Sequence, residues 1–138
     1  MNQKAKELGL KDTVFKDPTG LSNDNVSTAN EILIFSKRAF EYPKIREITS
    51  KKDYSFSAVD SERIITLKNT NDLVGNYLKI ESGKTGTTDD AGSCLVSEIS
   101  YENKGPILAV VLGSASHFER FSDLKTLAFW VFENYVWQ

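Results

Sequence analysis

The residues of this chain whose types and spacing could do chemistry gather in one stretch, "ESGKTGTTDDAGSC", Glu81 to Cys94. Lys84, Thr85 and Gly86 place an ammonium, a hydroxyl and a bare backbone position in three consecutive places. On spacing alone two readings stay open: a working site, or a solvated edge lysine beside a strand-forming threonine. A nucleophile would have to come from elsewhere. Ser122 and Lys125 form the one Ser-x-x-Lys, a spacing that sets a hydroxyl near an amine able to take its proton. Ser122, however, falls one turn inside an amphipathic helix, off its apolar stripe, and a four-residue pattern with two free positions recurs by chance. His117 is the sole histidine, so a Ser-His-Asp triad is excluded unless His117 is its base; beside the cap of the last helix it reads as structural. Asp89 and Asp90 read as a solvated turn closed by Gly92 rather than as an acid pair or metal site. Cys94 is the only cysteine. It permits no internal disulfide and no zinc cluster, leaves the redox compartment open, and reads as a small hydrophobe facing the core of its strand.

The whole composition narrows the classes further. The 138 residues suffice for one domain with a real core. Lys plus Arg is 17 and Asp plus Glu is 19, a net charge of -2, which argues against a nucleic-acid or anionic-membrane partner. No run approaches the ~18 apolar residues of a membrane span, and "MNQKAKELGL" has no apolar signal-peptide core.

Elements that could hold the triplet follow from periodicity. Residues 2–8 read as a helix end stopped by Gly9, and "DPTGLSNDN" (17–25) is turn chemistry. Thr28-x-x-Glu31 is a capping-box pattern opening a helix that puts Ile32, Phe35 and Ala39 on one face, with Leu33 and Phe40 beside them. Pro43 suits the first turn of a short helix, "PKIREIT". Tyr54, Phe56 and Ala58 alternate with polar residues as in a half-buried strand, paired with 63–69 through a polar turn at Asp60–Glu62. "NTNDLVGN" (69–76) is a loop. Strand-like runs follow at 82–88, 93–101 and 106–113, the last two joined at Asn103-Lys104-Gly105. Ser116-x-x-Glu119 is a second capping box, before a helix carrying Phe121, Leu124, Ala128, Val131 and Tyr135.

Four blocks in order carry a resemblance over nearly the whole chain. They are "MNQKAKELGLKDTVFKDPTGLSNDNVSTANEI" (1–32), "NTNDL" (69–73), "SGKTGTTDDAGSCLV" (82–96) and "VVLGSASHFERFSDLKTL" (110–127). Together they resemble the C-terminal part of the serine-type D-alanyl-D-alanine carboxypeptidases, low-molecular-weight penicillin-binding proteins of the peptidase S11 family and the β-lactamase-like superfamily. Such enzymes use Ser-x-x-Lys, Ser-x-Asn and Lys-Thr-Gly. The first two lie upstream of the segment that residues 1–3 resemble, the family's nucleophile precedes Lys-Thr-Gly, and no Ser-x-Asn occurs anywhere in the sequence.

The resemblance implies an α+β fold: an antiparallel β-lactamase/transpeptidase-like sheet flanked by helices at 2–8, 28–41 and 116–136. It would be incomplete, with residues 1–138 forming the C-terminal portion of a single catalytic domain. The 82–88, 93–101 and 106–113 strands should be adjacent, antiparallel and in sequence order. It implies that Lys84, Thr85 and Gly86 bind substrate: Lys84 by positive potential, Thr85 through its hydroxyl on the terminal carboxylate, Gly86 by letting the substrate backbone lie against the strand. The backbone N–H of Thr87 would be one of two oxyanion donors, the other coming from the missing serine; one such donor is worth about 2.7–4 kcal/mol. Arg120 is implied as a structural ion-pair or capping residue, and Gly20 and Thr28 as turn and cap positions. No cofactor and no metal are implied. The partners implied are a peptidoglycan stem peptide ending in D-Ala-D-Ala and, in the intact domain, β-lactams. The location implied is extracytoplasmic.

By this reading the chain is inactive alone, being an engineered piece, a truncated gene product or half of a split protein that pairs with an N-terminal chain. The competing expectation is a non-catalytic module that keeps the Lys-Thr-Gly strand for peptide or partner recognition. The run "PILAVVL" (106–112) is apolar on both faces and reads as a central strand. With its N-terminal partner strand missing, its open edge implies instability, self-association or rescue by an added strand.

Overall fold

The computed structural model of the chain describes residues 1–60 and 62–137. It is α+β. Four helices, α1 (Asn2–Glu7), α2 (Ala29–Phe40), α3 (Pro43–Thr49) and α4 (Glu119–Asn134), surround two antiparallel sheets. A ribbon pairs β1 (Asp53–Ser57) with β2 (Ile64–Lys68); a three-stranded sheet runs β3 (Lys79–Thr88), β4 (Gly92–Tyr101), β5 (Lys104–Ser114) in that order. Both pairings in the larger sheet are antiparallel, as expected from the sequence.

The core lies between this sheet and α4. Ile80, Leu95, Ile99 and Ala109 from the strands meet Phe121, Leu124, Ala128 and Phe132 from the helix, all buried. The helix presents positions 121, 124, 128 and 132 inward, so Phe132 takes the place expected for Val131. Tyr135 falls at the C-cap and is exposed. A step of four after Ala128 keeps the stripe over the sheet, whereas a step of three turns it aside. Helix α4 starts at Glu119, and Ser116 Oγ accepts the Glu119 N–H at 3.1 Å. Ser122 is exposed on its outer side.

The opposite sheet face carries α2 and α3. Arg46 of α3 pairs with Glu98 of β4 and lies 3.6 Å from Glu81 of β3, fixing that helix to the strands. Thr28 caps α2, its Oγ1 accepting Glu31 N–H at 3.2 Å. The Glu31 carboxylate accepts Lys11 N–H at 2.7 Å, Asp12 N–H at 3.0 Å and the Thr13 hydroxyl at 2.5 Å. With that anchor, α2 buries Glu31, Ser36 and Phe40; Phe40 was expected beside the inward face, whose Ile32 and Ala39 are only half-buried. Phe35 is displaced to the surface against Phe15, ring centroids 6.1 Å apart.

Three further expectations need correction. The β1–β2 ribbon pairs as predicted, but all five β1 residues are exposed, because the ribbon forms a sheet of its own instead of extending the larger one. The β4–β5 turn is Glu102-Asn103, with Glu102 at φ 52° and Lys104 already paired to Tyr101, one residue earlier than read. Cys94 faces away from the core: Ser93, Leu95, Ser97 and Ile99 are the buried alternation of β4, and Cys94 is half-buried on the other side. The bulge between Ile80 and Ser82 and the β4–β5 irregularities shift register without disturbing this alternation. Of the turn expected at 60–62, Ser61 lies outside the described residues; Asp60 has φ 63°.

Candidate active-site wall

Strand β3 is an outer strand of its sheet. Its inner edge pairs with β4, in the register Lys84↔Val96, Thr85↔Leu95, Gly86↔Cys94 and Thr87↔Ser93. Directly paired residues share a face. Thr85 and Thr87 therefore lie on the α4 side with Leu95 and Ser93, and Lys84 and Gly86 on the other with Val96 and Cys94. At the start of the triplet the outer edge is closed by α3: Gly83 N–H donates to Thr49 Oγ1 at 3.3 Å. Beyond it, no strand among the described residues pairs with this edge.

The side chains of the triplet differ in their surroundings. Lys84 is exposed, and its Nζ turns back to donate to the Thr85 carbonyl. Thr85 is buried, its hydroxyl 2.7 Å from that of Thr70 in the 69–76 loop. Gly86 faces open space: a Cβ built there meets no heavy atom of the described residues within 4 Å, its chain neighbours aside. Gly83, two residues before Thr85, is the opposite case, since a Cβ would lie 2.6 Å from Ser97 Oγ and 3.1 Å from the Val96 carbonyl.

The 69–76 loop holds this arrangement. Asn69 Nδ2 donates to the carbonyls of Thr49 and Lys51 at 2.9 and 2.8 Å, joining the loop to the end of α3. Asn71 is buried, donating to Ser97 Oγ at 3.1 Å and accepting Leu73 N–H at 3.1 Å. Thr70, between them, is thereby fixed beside Thr85. A cleft of about 490 Å³ opens along the outer side of β3, walled by Ile48 and Thr49 of α3, Tyr54 and Leu67 of the ribbon, and Lys84 and Thr85. At the strand's start Glu81 is held below the usual carboxylate range, first by Lys79, with Ser100 and Arg46 adding to it.

Helix α4 completes the wall. Arg120 is 3% exposed. Its Nη1 donates to the Gly86 carbonyl at 3.2 Å and to Thr87 Oγ1 at 2.9 Å, and its Nη2 contacts His117 Nδ1 at 2.6 Å. His117 Nε2 lies 3.1 Å from Asp72 Oδ2. Arg120 was expected to be a structural ion-pair or capping residue. It is instead a hydrogen-bond donor to the triplet strand, and its Nε is buried with no acceptor among the described residues. The Asp72–His117–Arg120 series was not foreseen. The sequence signal was a charged "SHFER" just before a predicted apolar helix face, which reads equally well as a solvated cap. Ser122, exposed on α4, is not among the residues this arrangement brings together, and Asp89 and Asp90 are exposed in the β3–β4 turn. No cluster of three or more His, Cys, Asp or Glu able to hold a metal occurs among the described residues.

Comparison with known proteins fits this architecture. The family model described as D-alanyl-D-alanine carboxypeptidase matches residues 1–116. The chain belongs to that family. It is 35% identical over 132 residues to a D-alanyl-D-alanine endopeptidase of Escherichia coli (strain K12), covering 95% of this chain and 42% of the relative. It is 36% identical over 137 residues to the D-alanyl-D-alanine carboxypeptidase DacF of Bacillus subtilis (strain 168), covering 98% and 34%. Among solved structures, the Streptomyces K15 DD-transpeptidase superposes with a TM-score of 0.88 at 30% identity, over 96% of this chain and 52% of that one. Penicillin-Binding Protein D2 from Listeria monocytogenes, solved in the cefotaxime-bound form, gives 0.78 at 30% identity, over 95% and 53%. The chain thus spans well under half the length of these curated relatives and about half of the solved chains.

Proposed function

We propose that β3 is the substrate-binding wall of a serine DD-peptidase that removes the terminal D-Ala of peptidoglycan stem peptides through an acyl-enzyme, outside the cytoplasmic membrane. Residues 1–138 are the C-terminal portion of its catalytic domain. The observation that carries this reading is Gly86. No neighbour requires a glycine there, yet the position opens on empty space beside Lys84, on a strand whose outer edge is unpaired beyond Gly83. An extended peptide laid along that edge meets, at Gly86, backbone groups and no side chain. Lys84 needs only a rotamer change to turn its ammonium from the Thr85 carbonyl toward an anionic substrate. The Thr70–Thr85 hydroxyl pair offers a hydrogen-bond donor to a terminal carboxylate, and the N–H of Thr87 serves as one oxyanion donor. Nucleophile and base come from a Ser-x-x-Lys and a Ser-x-Asn upstream of Lys-Thr-Gly; this sequence has no Ser-x-Asn, and its one Ser-x-x-Lys, Ser122 to Lys125, follows the triplet.

The 138-residue chain therefore takes up no covalent penicillin: incubation with a fluorescent penicillin followed by a denaturing gel gives no band. A band abolished by Ser122→Ala would overturn this. Placed behind a segment that supplies the two upstream motifs, the chain should become labelled. Lys84→Ala or Thr85→Val should then slow labelling, each removing one hydrogen bond to a charged group, worth about 1.5–3 kcal/mol, or roughly 10- to 150-fold in rate. Labelling at an unchanged rate in both variants would remove β3 from the site.

A further inference from the structure

We infer that Asp72 and neutral His117 are positioning residues that orient Arg120 against the Gly86–Thr87 end of β3, and that proton uptake by His117 releases this hold. The contacts fix the ring's state. Arg120 has only donors, so Nδ1 at 2.6 Å from Nη2 must be the acceptor. The ring proton then sits on Nε2, which donates to the Asp72 carboxylate at 3.1 Å. That carboxylate selects the tautomer, as a carboxylate behind an imidazole does in other sites. Arg120, held on Nη2, directs Nη1 to the Gly86 carbonyl and the Thr87 hydroxyl. The chain of contacts runs from the 69–76 loop through the start of α4 to the strand.

The charged groups that meet the ring among the described residues are Asp72 from the loop and Arg120 from α4; Phe118 and Phe121 flank it edge-on at 5.3 and 5.2 Å. A second proton would go to Nδ1. It would set N–H against N–H and positive charge against a guanidinium that is itself buried. The bond from Nη2 is then lost, and Arg120 keeps its hydrogen bonds to β3 and its place over the Phe121 ring, 4.8 Å from the centroid.

The sole histidine of the chain makes the test direct. Histidine-selective ¹⁵N NMR of the 138-residue chain should show the Nε2–H tautomer at high pH. As the pH is lowered, the Thr87 amide shift should move with the same midpoint as the ring nitrogens. His117→Asn keeps an acceptor near the Nδ1 position without titrating there, so its Thr87 shift should stay close to the parent's high-pH value throughout. His117→Ala should differ from the parent at high pH and lose the pH response. An Nδ1–H tautomer, or a Thr87 amide indifferent to the His117 titration, would overturn the inference. The site reading of β3 gives Thr87 its importance here, but the NMR result is independent of substrate. A failed titration leaves the penicillin-labelling experiment untouched.

Discussion

Gly83 and Gly86 are three residues apart on one strand and do different work. At Gly83 an added methyl would strike Ser97 Oγ, Asn71 Nδ2 and the Val96 carbonyl, at 2.6, 3.0 and 3.1 Å. The Ser97 and Asn71 atoms hydrogen-bond to each other inside the buried loop attachment, so neither can retreat cheaply. Gly83→Ala should therefore destabilise the fold by about 1–3 kcal/mol, the usual cost of overpacking. Gly86→Ala meets only open space and should change stability by no more than about 0.5 kcal/mol. In a polypeptide that labels with penicillin, the same methyl would, on the proposed reading of β3, stand against the substrate backbone and should slow labelling. Thermal melts of the two variants beside labelling rates would check this. Equal destabilisation by both would deny that Gly86 is kept for a ligand. By periodicity alone the two glycines are indistinguishable, since each lies in an apparently regular strand; only the family resemblance singles out Gly86. Arg120 was likewise illegible: its burial depends on β3 and α4 meeting, a long-range fact that helical spacing does not contain.

Among the elements, α2 depends on a contact that its own sequence only half declares. The capping threonine was visible as Thr28-x-x-Glu31, and its bond to Glu31 N–H is present. The carboxylate of Glu31 went elsewhere, to two backbone N–H groups and the Thr13 hydroxyl, because residues 11–13 turn three donors toward it; Thr13 Oγ1 also lies 2.7 Å from Ser27 Oγ. These bonds, the Thr13 hydroxyl first, hold Glu31 below its ordinary value of 4.5 against the opposing effect of burial. A depressed carboxyl stabilises fully above its unfolded value and loses that contribution as pH falls through the folded one. Glu31→Gln should therefore melt lower than the parent at pH 7, with the gap closing as pH drops below 4.5. A gap that is constant from pH 7 to 3 would show the tie to be uncharged. Strand order and the inward face of β4 were legible because period-two alternation is local. The inward face of α2 was not, because Ile32, Phe35, Ala39 and Phe40 offer two overlapping apolar stripes, and a tertiary anchor chose between them. The exposure of β1 was hidden for a related reason. Alternation predicts a strand with an apolar face but not the layer that covers it.

At the scale of the whole molecule the sheet has a second open edge besides that of β3. Strand β5 stands at the end of the order β3-β4-β5, and no strand among the described residues pairs with its outer edge. It is eleven residues long, carries "PILAVVL", and leaves Leu112 44% exposed. An unpaired edge beside uncovered apolar surface is a template for another strand. Pro106 removes one donor near its start, which blunts the edge there but not along 107–112. The 138-residue chain should therefore self-associate at micromolar concentration, with a melting temperature that rises with protein concentration as mass action requires. Leu112→Lys, placing a charge at an exposed position beside the edge, should shift sedimentation toward monomer while leaving the α4 core intact. A wild-type monomer with a single concentration-independent transition would mean that this segment closes its own sheet. It would favour a self-sufficient module that keeps the Lys-Thr-Gly strand for binding over the C-terminal portion of a larger catalytic domain.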